Sequence, residues 1–415
     1  MFNYEAPFSA LSNYQLESVF CSVRERVNMF LMNNKFEMHI EKLANEEIYD
    51  SKLSCQYFDE DQFNSTLNVT DVNLSVFHLN IRSLSKHYVE LLAYLDCLKN
   101  EFDIIILTEI GKNNLDSLSN IMPDYNFDFV PSTTSKGGVG IFFSKKFKEY
   151  SIQKSVITDK LECQCSHCQI EDIWLKVQYN NNTIIFGGCY RHPNGNVSHF
   201  VDALETALEQ FDRSPQCIFC GDINIDLLKL EQFPAYENYV NLLMGKRFLP
   251  TITLPTRITE NTISLIDHIF VRVPNELLKN MIKSGNLFCD ISDHLPNFCC
   301  INSITEHTNI DRPMIRIYSE KNINKFSNCT ELHDLLHICN INDVNLAYDQ
   351  FSKQLQMLHD KYFPLVRQSR KMSKNKPWIT MGIRTSVKCK NKLYRKYLAN
   401  PSPGLKYKLT YIEIC

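Results

Sequence analysis

The chain has 415 residues, 44% of them hydrophobic and 22% charged, with 12 glycines and a formal net charge of −3. That is the composition of an ordinary globular protein with room for one large domain plus appendages, or for two domains. No charged start leads into an apolar signal stretch and no apolar run approaches a spanning helix, so an intracellular chain with no membrane partner is expected.

The near-neutral total hides an asymmetry. Lys361 to Lys408 carries 14 Lys and Arg with no Asp or Glu; removing them from the 44 basic residues leaves 30 against 47 acidic ones. The body is acidic and the tail strongly basic. The 16 cysteines are scattered, and several (Cys217, Cys220, Cys289, Cys299, Cys300) sit inside apolar runs. They read as buried thiols rather than a disulfide framework.

In chain order, residues 1–69 are polar and mixed, with one helix expected around Tyr14 to Met32 from the spacing of Leu16, Phe20, Val23, Val27 and Leu31. VNLSVFHLN (72–80) reads as a strand ending in Asn80, followed by Ser83 as a helix cap and an amphipathic segment to about Leu98. FDIIIL (102–107) is apolar almost throughout, hence a strand buried on both faces, and runs out into Thr108 and Glu109. Gly137, Gly138 and Gly140 feed a further strand; their spacing is that of a turn and not of a phosphate loop.

CQCSHCQ sets Cys163, Cys165, His167 and Cys168 close enough to hold zinc, but no second ligand pair is evident, and a loop insertion is the plainer reading. IWLKVQY (173–179) and TIIFGGCY (183–190) form a hairpin that releases Tyr190 and Arg191 at its far end. A helix from Val197 to Phe211 leads to CIFCGDINID (217–226), an apolar strand breaking at Gly221 into Asp222 and Asn224. After a helix at about Tyr236 to Lys246, SLIDHIFVRV (264–273) carries Asp267 and His268, and DISDHLPNFCCI carries Asp293 and His294 before a last apolar strand. Thr305 to about Asp343 looks loop-like, and helices are expected near Leu346–Tyr362 and Ile383–Leu398.

Asn80, Glu109, Tyr190, Asp222, Asn224, Asp267, Asp293 and His294 therefore all lie in or beside apolar strands, most of them at an end. That is where a site assembled on a sheet belongs. Carboxylates, carboxamides and a His-Asp set suit phosphodiester hydrolysis around a hard cation, Mg²⁺ with Mn²⁺ as the alternative.

HLNIRSL (78–84), LTEI (107–110), YRHPN (190–194), GDINID (221–226), SLIDHIF (264–270) and SDHLP (292–296) together resemble the endonuclease/exonuclease/phosphatase superfamily. The wording is most similar to the apurinic-type endonuclease of non-LTR (LINE-type, jockey- or CR1-like) retrotransposons, and residues 376–398 resemble the segment joining that endonuclease to a reverse transcriptase, a domain not expected within these residues.

The resemblance implies an α/β fold, a four-layer sandwich of two mixed sheets with helices on both outer sides, over residues 70–302. Residues 1–69 would be an N-terminal extension and 303–415 a linker and basic helical tail. It implies a Mg²⁺-dependent DNA endonuclease that nicks a strand to leave a 3′-OH, with a nuclear location. Glu109 with Asn80 would hold the metal, Asp222 activate water, Asn224 orient it, and His294 with Asp267 stabilise the phosphate. Tyr190 would touch a phosphate oxygen, and Asp293 would serve metal or leaving group. His294 as the general base is the other assignment.

Arg82, Arg191 and Arg257, with Lys112 and His192, could meet DNA phosphates, and the basic tail could add RNA or DNA affinity. Two other functions stay open: a phosphomonoesterase or lipid phosphatase of the same superfamily, and a silent nucleic-acid-binding remnant.

Overall fold

The computed structural model describes residues 26–27, 53–67, 72–98, 101–132, 134, 136–161, 170–179, 182–274, 282–302, 314–316, 318–367 and 378–410. CQCSHCQ and nearly all of the expected helix at Tyr14–Met32 lie outside the described residues.

In chain order, β1 (Leu53–Phe58) and α1 (Glu60–Thr66) precede β2 (Val72–Asn80), α2 (Leu84–Cys97), β3 (Ile104–Thr108), β4 (Tyr125–Val130), β5 (Val139–Ser144), β6 (Glu149–Lys154), β7 (Ile170–Tyr179) and β8 (Asn182–Arg191). Then come α3 (Val197–Glu209), β9 (Gln216–Asp222), α4 (Pro234–Gly245), β10 (Leu249–Pro250), β11 (Arg257–Ile258), β12 (Ile263–Ser264), β13 (Asp267–Arg272), β14 (Ile282–Leu287) and β15 (Asn297–Asn302). Seven strands in the order β1-β14-β15-β2-β3-β5-β4 make one sheet, and six in the order β10-β13-β9-β8-β7-β6 make the other. Both are mixed: β1–β14, β2–β3 and β8–β9 run parallel, and the remaining pairs antiparallel.

Alternation along the strands explains the layering. Val76, Ile104, Ile106 and Ile141 of the first sheet meet Ile173, Leu175, Phe186, Ile218 and Ile269 of the second in a central apolar layer. Their neighbours one residue along face the other way: Phe77, Leu79, Ile105, Leu107 and Phe142 pack under Leu91, Leu92 and Tyr94 of α2. On the far side, Trp174, Ile185, Cys217 and Phe219 pack under Phe200, Leu204 and Leu208 of α3 and Val240 and Leu243 of α4. A period of two with both faces apolar requires cover on both sides, and the result is the expected four-layer sandwich.

Several details differ from the sequence reading. Leu53–Phe58, within the stretch read as a polar extension, is an edge strand parallel to β14. Ser83 precedes α2 but makes no capping bond, its backbone held at φ 120°. Residues 305–343 are not all loop: α5 (Glu320–Ser327), capped by Ser319, and a 3-10 run at Thr330–Asn340 lie there. These belong to a second compact unit, Thr305–Trp378, with α6 (Val344–Tyr362) and a ribbon of β16 (Met314–Arg316) and β17 (Leu365–Arg367).

The tail helices α7 (Met381–Ala399) and α8 (Pro403–Thr410) belong to the sandwich unit. Val387 of α7 joins the apolar layer over α2, and Arg384 pairs with Asp96 at 2.5 Å. Among the described residues no helix is long and apolar enough to cross a membrane.

Candidate active site

The site forms where β2, β3, β8, β9 and β13 end. β9 stops at Gly221–Asp222, where Gly221 has φ 153° and a Cβ would run into the carbonyl of Cys189 on β8. Only glycine lets the two strands approach there, and the approach sets Asp222 beside Tyr190 in the parallel register and opposite Asp267 in the antiparallel one. Cys217 and Cys220, despite their spacing, are fully buried core.

One hydrogen-bonded chain links four of the expected residues. Asn80 Nδ2 donates to Glu109 Oε1 at 3.0 Å and to Asp222 Oδ2 at 2.8 Å, and the Tyr190 hydroxyl donates to Glu109 Oε1 at 3.1 Å. Asp222 Oδ1 accepts from the Asn224 amide at 3.2 Å, and Asn224 Nδ2 donates to the Arg191 carbonyl at 2.8 Å. Glu109 and Asn224 hold φ values of 53° and 51°, a region that costs about 1 kcal/mol or more for residues with a side chain. Asn80, expected to help Glu109 hold the metal, orients both carboxylates through its amide nitrogen, and its Oδ1 accepts from the Arg82 amide at 3.2 Å.

A second group faces this chain. His294 Nδ1 donates to Asp267 Oδ2 at 2.9 Å, and the same oxygen accepts from Thr256 Oγ1 at 2.6 Å. Ser292 Oγ donates to the Asn80 carbonyl at 2.6 Å and accepts from the His294 amide at 3.1 Å, which ties the His294 loop to the end of β2. Ligand atoms of Asp222, Asp267 and His294 lie within 4.8 Å of one another, all three buried.

Electrostatics divides these groups. Burial, then the neighbouring Asp267 carboxylate, pushes Asp222 up to about 7. Burial opposes charge on His294, but Asp267 outweighs it and raises the imidazole to about 9. For Asp267, burial is likewise overcome, by the His294 charge and hydrogen bond, and its pKa falls. Near neutral pH the site therefore holds an ion pair, His294⁺–Asp267⁻, beside a carboxylate poised to give or take a proton. Tyr190 is held protonated, first by burial and then by the Glu109 charge.

The expected substrate arginines separate. Arg82 and Arg257 are partly exposed and both grip Asp293, Arg82 Nε at 2.8 Å and Arg257 Nη2 at 2.7 Å. Asp293, expected to serve metal or leaving group, thus lies between two guanidiniums. Arg191 is only 2% exposed and donates to the carbonyls of Ile223 (2.7 Å), Gly195 (2.8 Å) and Asn224 (2.9 Å). It holds the Asn224 turn in place and is not presented to a ligand. His192 pairs with Glu171 at 3.0 Å, whereas Lys112 is exposed. His268 is buried against Tyr239, 3.1 Å to its hydroxyl, and burial lowers it to about 4, so it is a packing residue.

Three contributors escaped the sequence reading: Thr256, Ser292 and His78. His78 is fully buried, its Nδ1 donating to Asn297 Oδ1 at 3.1 Å and its Nε2 accepting from Thr108 Oγ1 at 3.3 Å, with Asp267 Oδ1 3.9 Å away. Burial lowers its pKa, so it backs Asp267 as a neutral ring. His78 in HLNIRSL and Ser292 in SDHLP each stand two residues from an expected site residue, Asn80 and His294, and that spacing is the signal that marks them.

Residues 77–294 match the family model described as "Endonuclease/Exonuclease/phosphatase family". None of the curated proteins compared matches the chain. Solved structures similar to it include an endonuclease/exonuclease/phosphatase family protein from Leptotrichia buccalis (16% identity, TM-score 0.44, 55% of this chain and 100% of that one). An AP endonuclease from Leishmania major is similar at 12% identity and TM-score 0.44, over 67% of this chain and 98% of that one. The endonuclease domain of TRAS1, a telomere-specific non-LTR retrotransposon, is similar at 12% identity and TM-score 0.40, over 56% of this chain and 100% of that domain. With the matched segment spanning the whole site from β2 to His294, the chain belongs to the endonuclease/exonuclease/phosphatase family.

Proposed function

We propose that the protein is a Mg²⁺-dependent DNA endonuclease that hydrolyses one phosphodiester and leaves a 3′-OH, the reaction expected of a non-LTR-type element. The observation that carries this reading is the pairing of a hydrogen-bonded Tyr190–Glu109–Asn80–Asp222 chain with a buried His294–Asp267 ion pair.

Asp222, raised to about 7, takes the proton from the attacking water, since a base is most effective with a pKa near the working pH. Asn224, fixed by its bond to the Arg191 carbonyl, orients that water. His294, raised to about 9, stays protonated at neutral pH; this argues against its serving as the base and for its meeting the negative phosphate. Tyr190, kept as a neutral phenol, can turn its one O–H from Glu109 to a phosphate oxygen when substrate binds.

The donor set fits a hard divalent cation. Glu109 takes both its hydrogen bonds on Oε1, which leaves Oε2 as an oxygen ligand, with Asp222 adjacent through Asn80. When bound, the cation would offset charge developing on the phosphate. Arg82 and Arg257 would meet flanking DNA phosphates, in competition with Asp293.

A supercoiled plasmid and a fluorogenic phosphate monoester, each with Mg²⁺, test the substrate class side by side. Relaxed circles with an uncleaved ester are expected; ester hydrolysis with intact plasmid would replace this reading with a phosphomonoesterase.

A further inference from the structure

The basic tail reads in the sequence as a linker or an extra nucleic-acid surface, yet α7 reaches the catalytic loop itself. Asn391 lies near the middle of α7, 4% exposed, with both ends of its amide engaged. Its Nδ2 donates to Glu60 Oε1 of α1 at 2.5 Å, and its Oδ1 accepts from the backbone amide of Asp290 at 3.2 Å. Lys390, the residue before it, donates to the Asp290 carbonyl at 3.1 Å. One turn of helix therefore takes both backbone groups of a residue four positions before His294.

The other side of the loop is held by the same helix. Leu295 shares an apolar cluster with Tyr394 and Leu398 of α7, together with Phe288 and Ile258. Arg395, almost fully buried, pairs with Asp59 at 2.6 Å and lies over the Phe288 ring. At the end of α7, Arg26 donates to the Leu398 carbonyl at 2.5 Å and to the Thr259 carbonyl at 2.6 Å, on the loop that follows β11 and Arg257.

We propose that α7 is a brace for the catalytic loop, with Asn391 as the positioning residue that pins Asp290 and thereby sets His294 against Asp267. As a statement about turnover, this rests on the nuclease reading above. Asn391 itself touches no reacting atom. A site needs its groups held within a fraction of an ångström, and two backbone bonds beside a loop that ends in the imidazole are an economical way to hold it.

The test compares full-length wild type, Asn391→Leu and the double variant Glu60→Leu/Asn391→Leu, the last so that the buried carboxylate is not left unpaired and folding survives. Two quantities are read: amide hydrogen exchange over residues 290–294, and nicking of a supercoiled plasmid with Mg²⁺. In the double variant, exchange over 290–294 should rise about tenfold while β9 and β13 stay protected, and kcat should fall about tenfold with KM within about twofold. Unchanged exchange over 290–294 in a folded double variant overturns the brace, whatever the activity. A wild type that does not nick, with the exchange contrast intact, overturns the nuclease reading and leaves the brace standing.

Discussion

Asp222 and Asp267 stand directly opposite each other across the antiparallel pair of β9 and β13, both fully buried, and they are driven apart in charge. His294 keeps Asp267 ionised, and the buried negative charge of Asp267 adds to the burial that raises Asp222. Two like charges at neighbouring buried positions cannot both be cheap, so Asp267 carries the ion pair and Asp222 is left near 7, able to hold or release a proton.

A pH-dependent metal response follows. Asp222 at about 7 lies above its unfolded value, so its contribution to stability is fully present at low pH and is lost as pH rises through 7. A divalent cation favours the carboxylate and must displace that proton when pH is low. Thermal denaturation with and without Mg²⁺ should show a larger rise in Tm at pH 8 than at pH 6. Equal shifts at both would place the cation away from Asp222.

Glu60 offers a separable stability test. Burial raises it to about 7, and the hydrogen bond from Asn391 only partly offsets this. The sign is that of a raised carboxyl: stability is present below the unfolded value and is lost as pH rises through 7, by up to about 3 kcal/mol. Glu60→Gln keeps an acceptor for Asn391 and should stabilise the protein by about 1–2 kcal/mol at pH 8 and by almost nothing at pH 4.5. Urea titrations at the two pH values would measure it; a difference independent of pH would contradict the buried, protonated Glu60.

Gly221 is predicted to tolerate no side chain. Gly221→Ala drives a Cβ into the Cys189 carbonyl from a left-handed φ, so a loss of about 3 kcal/mol or more, or failure to fold, is expected in a denaturant melt. A melt within about 0.5 kcal/mol of wild type would mean that β8 and β9 do not approach as closely as this.

The arginines should separate by kind. Arg82→Ala and Arg257→Ala remove partly exposed guanidiniums and should each weaken DNA binding and lower the salt slope by about 1. Arg191→Ala empties a buried position that holds three backbone carbonyls, so its cost should appear as stability, about 2–4 kcal/mol, with the salt slope unchanged. A salt slope altered by Arg191→Ala would place its guanidinium at the DNA.

Much of this was legible in the sequence, for a physical reason. Asn80, Glu109, Asp222 and Asp267 sit in or beside short apolar strands, and a buried strand announces itself by composition. What the pattern could not convey was the partner of each polar group. Arg191 looks like a surface cation until the turn it supports is folded beneath it. Thr256 lies in LPTRIT, where no periodicity marks a buried hydroxyl. The tail is the clearest case: amphipathic spacing in α7 predicts an apolar face but not what that face covers, and its cations read as a nucleic-acid patch. In the folded chain Arg384, Lys388, Lys390 and Arg395 meet Asp96, Asp61, Asp290 and Asp59 of the same unit.

The most direct test of the site is plasmid nicking by wild type and His294→Ala, each with Mg²⁺ and with EDTA. Wild type should convert supercoiled DNA to open circles only with Mg²⁺, and His294→Ala should be slower by about 10²- to 10⁴-fold with its fold intact. Equal nicking by the two proteins, or nicking that persists in EDTA, would contradict a metal-assisted site built on the His294–Asp267 pair.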